Sequence, residues 1–182
     1  MLPIALMIRG DRPADLDAWG ALATALRARY DARIHYLHGC ARHDPPVRRA
    51  LASRCRLDDD GTFLDHPELM RKLAGMSLLI SDRYHGAVFA IQTRTPLVPV
   101  ASTTHKTTGL LRTFDYPVPV LAPLDRGLLP AYLQWSDRLL QDGDRVSRLM
   151  AGVHEQIRSS LFAVYGGVCR RLGLSGDAGT GR

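Results

Sequence analysis

The sequence predicts an α/β fold: a parallel sheet of about five to six strands with helices on both faces. Three observations predict it. Short apolar runs alternate with helix-length segments of amphipathic spacing. The opening run, residues 4–8, is apolar throughout, as a strand covered on both faces is. The runs close on turn chemistry: Arg9-Gly10-Asp11, His38-Gly39 and Ser81-Asp82. That layout is Rossmann-like, and ligands in such sheets sit beyond the carboxyl ends of the strands.

The elements follow in order. Residues 4–8 read as a central strand. Pro13 opens a helix over residues 15–30 that sets Leu16, Trp19, Leu22, Ala23 and Leu26 on one face. Residues 33–37 form a second strand, and Asp44-Pro45-Pro46 starts a short helix running to about Cys55. After the polar turn Asp58-Asp59-Asp60-Gly61, residues 62–64 read as a short strand. A helix from His66 to about Gly75 leads into strand 77–80, helix 83–92, strand 97–100, helix 104–114 and strand 118–121. Beyond Leu124 strand signals vanish. Helices cover 128–141 and 145–165, the latter with Val146, Leu149, Val153, Ile157 and Leu161 in one stripe. Residues 1–172 are therefore expected to form a single domain, and the small, polar residues 173–182 a flexible tail.

Composition narrows the function. With 182 residues, 46% hydrophobic and 23% charged, the chain is globular in type. A formal net charge of +6 favours anionic partners. The arginines scatter along the chain instead of gathering, which marks solvated helix faces and argues against nucleic acid. Cys40, Cys55 and Cys169 are odd in number and widely spaced, so neither a disulfide framework nor a zinc site is indicated and a cytoplasmic location is expected. His35, His38 and His43 lack metal-ligand spacing, and no metal is expected. There is no G-x-G-x-x-G, Walker or G-x-S-x-G motif.

Three loops at strand carboxyl ends carry the candidate chemistry. The first holds Arg9. The second holds Ser81, Asp82, Arg83 and His85, where an arginine can hold an anion while a histidine two residues on moves a proton. The third, from Ala101 to Gly109, crowds Ser102, Thr103, Thr104, His105 and Lys106 at a helix start, a setting suited to phosphate or carboxylate. The simpler readings are a surface charge for Arg83, a helix-cap histidine for His85, helix capping for Ser102–Thr104, a surface residue for His105, and an N-cap rather than a general base for Asp82.

At these residues the chain resembles the polysaccharide pyruvyltransferase family. The resemblance rests on Ile80-Ser81-Asp82-Arg83-Tyr84-His85-Gly86 with Phe89-Ala90, then Thr95-Pro96-Leu97-Val98-Pro99-Val100. Lys106, Gly109 and Leu110-Leu111 follow, with Phe114-Asp115-Tyr116-Pro117 as the closing turn. It spans roughly residues 78–117 and reaches more loosely to Arg9.

The resemblance implies the C-terminal half of a two-domain, glycosyltransferase-B-like enzyme of exopolysaccharide biosynthesis. Such an enzyme transfers pyruvate from phosphoenolpyruvate to a sugar hydroxyl pair as a ketal, with no other cofactor. The acceptor would be a saccharide or lipid-linked saccharide, met in the cytoplasm or at the inner face of the membrane. Phosphoenolpyruvate carries a carboxylate and a phosphate, so Arg9, Arg83 and Lys106, with Ser102 and Thr103, are the expected donor ligands. His85 is the expected acid that protonates the enol methylene. Family members carry a further Rossmann-like domain before the position of Ile4. The chain is then half of a longer protein, a short homologue or one part of a split enzyme. A second domain, partner chain or homodimer is expected to cover the C-terminal helices. Two rivals stand beside this reading. One is a nucleotide-sugar glycosyltransferase domain of the same fold, though no pair of glutamates two turns apart marks a ribose site and Glu155 is isolated. The other is a non-catalytic interaction module.

Overall fold

The structure is a computed structural model that describes residues 1–11, 14–102 and 104–171, with the side chains of 157 and 160–171 excepted. Four strands form one parallel sheet: β1 (Pro3–Met7), β2 (Arg33–Tyr36), β3 (Leu78–Ser81) and β4 (Leu97–Pro99), in the order β2-β1-β3-β4. The helices are α1 (Leu16–Tyr30), α2 (Asp44–Ala52), α3 (His66–Ala74), α4 (Tyr84–Thr93), α5 (Lys106–Arg112), α6 (Leu129–Gln141) and α7 (Gly143–Arg171), with a 3-10 turn at Arg126–Leu128.

Strand periodicity divides the core in two. Ile4, Leu6 and Ile8 point to one face with Ile34, Leu78, Ile80 and Val98, where Trp19, Leu22 and Leu26 of α1, Leu51 of α2 and Tyr132 of α6 cover them. Ala5, Met7, Leu79 and Leu97 point to the other, under Leu73 of α3, Ala87 and Ala90 of α4, and Leu111 of α5. Both faces being covered explains why these strands are apolar without alternation. The last helix serves both layers, with Val146 in the first cluster and Met150 in the second.

Local chemistry sets the helix ends. Asp15 accepts the Ala18 N–H at the start of α1, and Asp65 forms a reciprocal capping box with Glu68 at the start of α3. Asp31 closes α1 in the left-handed region (φ 49°), a conformation aspartate tolerates, and turns the chain into β2. The expected helix opening at Pro13 and the tail 173–182 lie outside the described residues.

The sheet has four strands among the described residues, where five to six were expected, and side chains explain both shortfalls. At the outer edge of β2, residues 62–64 do not pair. Asp58 accepts the Ile34 N–H at 2.8 Å and Asp59 the Tyr36 N–H at 2.7 Å, so carboxylates fill the places a further strand would take. Arg27 and Arg48 in turn hold those carboxylates. At the other edge, the Tyr116 hydroxyl accepts the Leu97 N–H and donates to the Leu97 carbonyl, at 2.8 and 2.7 Å. Residues 118–121 make only a parallel bridge, Leu121 to Val100. Pro117 and Pro119 have no N–H, which prevents a ladder from extending along that segment.

Candidate functional site

In the order β2-β1-β3-β4 the chain reverses direction of travel between β1 and β3, and the crevice beyond their carboxyl ends is where such sheets bind ligands. Glycines let the rim close up. A Cβ on Gly86, in the first turn of α4, would stand 2.3 Å from Ser81 Oγ and 3.2 Å from Met7 Sδ, so only glycine lets the helix sit this near the sheet. A Cβ on Gly10 would stand 1.8 Å from the His43 carbonyl oxygen, which brings the loop after β1 against the start of α2.

Arg9 joins three strand ends. Its N–H donates to Asp82 Oδ1 at 2.8 Å, tying the end of β1 to that of β3. Its Nη1 donates to Ser102 Oγ at 2.9 Å, reaching the loop after β4. Its Nε and Nη2 grip the two oxygens of Asp11 as a fork. That pairing, above all its hydrogen bond, holds the Asp11 carboxyl well below the usual range. The fork is partly open to solvent, with side-chain exposures of 23% for Arg9 and 40% for Asp11.

Arg83 lies differently. It is the N-cap residue of α4, and its N–H donates to Ser81 Oγ at 3.0 Å. Its side chain passes over Gly39 and its Nη2 donates to Asp44 Oδ1. Asp44 is fully buried, and its other oxygen accepts the Gly39 and Cys40 N–H groups at 2.7 and 2.8 Å. Arg83 Nε is buried without a partner among the described residues.

The remaining candidates are spread along the rim. Lys106 is exposed at the first position of α5, beyond β4, whereas Arg83 leans toward the loop after β2 at the opposite edge. His85 is exposed at the second position of α4, its ring edge-on to Tyr84 at 5.7 Å and tilted against Phe89 at 6.2 Å. Among the described residues no hydrogen bond or ion pair joins His85 or Lys106 to Arg83 or Ser102. Thr103 lies outside the described residues. His38 is buried edge-on to Tyr36, and burial lowers its basicity. Among the described residues no three His, Cys, Asp or Glu side chains gather to hold a metal.

Asp82 corrects the expectation that it caps the helix. No side chain caps α4, and Asp82 instead crosses to the loop after β1. Burial pushes its carboxyl up to about 6, outweighing the Arg9 N–H and the charges of Arg83 and Arg9, which act downward. Asp11 and Asp44, the two carboxylates that hold the rim arginines, escaped the sequence reading. Asp44 stands before a Pro-Pro pair and reads as a helix start, and Asp11 reads as turn chemistry; only the fold gives either a partner.

A family model described as polysaccharide pyruvyl transferase matches residues 9–104. No curated protein matches the sequence. Solved structures resemble it more widely. One, described as a UDP-N-acetylglucosamine 2-epimerase from Listeria monocytogenes, aligns over 82% of this chain and 39% of its own, with a TM-score of 0.53 and 15% identity. A UDP-GlcNAc 2-epimerase from Neisseria meningitidis aligns over 89% of this chain and 44% of its own (TM-score 0.47, 12% identity). A mutant O-GlcNAc transferase from Thermobaculum terrenum aligns over 94% and 37% (TM-score 0.47, 15% identity). The chain thus spans less than half the length of each. At such identity the first of these bears on the fold alone, a glycosyltransferase-B-like arrangement.

Proposed function

The chain belongs to the polysaccharide pyruvyl transferase family, and on that premise we propose that it binds phosphoenolpyruvate at the β1/β3 crevice and transfers pyruvate to a saccharide as a ketal. One observation carries the reading: Arg9, where the family match begins, ties together the loops after β1, β3 and β4 at the place where a parallel sheet receives its ligand.

In this proposal Arg9 takes the donor carboxylate, which replaces Asp11 in the planar fork. Carboxylate for carboxylate, the exchange keeps both hydrogen bonds. Lys106, Ser102 and Thr103 receive the phosphate from the β4 side. Arg83, fixed by Asp44, adds positive charge on the β2 side, so charge building on the departing phosphate meets cations already in place. His85 gives the proton that converts the enol methylene to a methyl group. The acceptor is a saccharide or lipid-linked saccharide, met in the cytoplasm or at the inner membrane face; no helix among the described residues is long and apolar enough to cross a membrane.

Thermal unfolding with and without millimolar phosphoenolpyruvate tests the donor, since a ligand bound only by the native state raises Tm. The expected result is a rise in wild type that Arg9→Ala abolishes. A rise with a UDP-sugar and none with phosphoenolpyruvate would overturn the phosphoenolpyruvate donor in favour of a nucleotide-sugar.

A further inference from the structure

Asp82 remains without a chemical task in the reading above. Its Oδ1 is fixed by the Arg9 N–H and its own N–H also supports the carboxyl, while no side chain among the described residues donates to its Oδ2 and the residue is partly exposed at the carboxyl end of β3. A carboxylate anchored through one oxygen and open at the other is oriented to receive a proton. We propose that Asp82 is the general base that deprotonates the acceptor hydroxyl as that oxygen bonds to C2 of the enol phosphate. This deepens the pyruvyl-transfer reading and rests on it.

The step balances. The C2=C3 pair takes a proton from His85 to form the new C–H bond, the hydroxyl oxygen bonds to C2, and its proton passes to Asp82 Oδ2. The C2–O bond to phosphate then breaks with its electron pair on the phosphate oxygen. The second hydroxyl closes the ketal, and its proton leaves on phosphate as hydrogen phosphate. Asp82 returns its proton to solvent and His85 takes one back, so both groups finish as they began.

The surroundings suit a base working near neutrality. Arg9 after β1 and Arg83 at the start of α4 face the carboxylate with positive charge, and the buried phenols of Tyr36 (β2) and Tyr132 (α6) lie within its field. Burial nonetheless lifts its proton affinity to about 6, so it is charged at neutral pH yet accepts a proton readily.

Asp82→Asn tests this cleanly, because an amide oxygen accepts the Arg9 N–H as the carboxylate does. Ketal formation from phosphoenolpyruvate would be followed on a panel of p-nitrophenyl hexosides, alongside thermal protection by phosphoenolpyruvate. The proposal expects turnover to fall about 100-fold or more, with protection unchanged, the acid limb of kcat/KM lost, and partial rescue in Asp82→Glu. Turnover within threefold of wild type overturns the base. So does loss of turnover and protection together, which marks a structural role. A wild type that phosphoenolpyruvate does not protect refutes the donor reading itself. One that is protected yet converts no hexoside removes the step this base would serve.

Discussion

Two arginines on the same rim are paired to aspartates in opposite ways. Arg9 shares an open fork with Asp11, a near neighbour in sequence that is 40% exposed. Arg83 reaches Asp44, 39 residues away and fully buried, whose other oxygen already serves two backbone N–H groups. An exposed pair contributes little to stability and separates readily, whereas a buried pair cannot be opened without leaving a charge stranded. The contrast separates an arginine whose pairing is open to solvent from one locked into the framework, although both read alike in the sequence.

The largest expected effect breaks the framework side. Asp44→Ala strands the Arg83 guanidinium and two N–H groups, and should cost about 3–5 kcal/mol in urea unfolding; a loss under about 1 kcal/mol would mean that Arg83 is held by something else. Asp82 comes next. Its native proton affinity exceeds the unfolded value, so the native state binds more protons between pH 4 and 6. Its contribution to stability is fullest below about pH 4 and declines by roughly 2–3 kcal/mol as pH rises past 6. Asp82→Asn should remove that decline from a plot of unfolding free energy against pH.

Gly86→Ala pushes a methyl group toward Ser81 Oγ and Met7 Sδ and should cost about 1–3 kcal/mol, with the amides of α4 exchanging faster. The smallest effect sharpens the ligand side. Asp11→Asn should leave stability within about 0.5 kcal/mol while tightening phosphoenolpyruvate binding in calorimetry, because the Arg9 fork no longer has a resident carboxylate. Unchanged or weaker binding would show that Asp11 does not compete with the donor.

Where one face of an element governs its identity, the sequence was transparent. The apolar run at β1 and the spacing of Trp19, Leu22 and Leu26 each announce their structure within a few residues. The two strands that failed to form were decided elsewhere. Residues 62–64 were displaced by Asp58 and Asp59, which turn back to a strand more than 20 residues earlier. The site shows the same division. The Arg-x-His segment marked the rim, but Asp82 acts across 73 residues to reach Arg9, a partner no local spacing reveals.

The closed margins of the sheet have a consequence for self-association. A neighbouring chain offering an extended segment finds no vacant donor at Ile34, Tyr36 or Leu97, because carboxylates and a phenol already satisfy them. Growth by strand addition, the usual route to runaway polymerisation of a parallel sheet, is thereby blocked at both flanks.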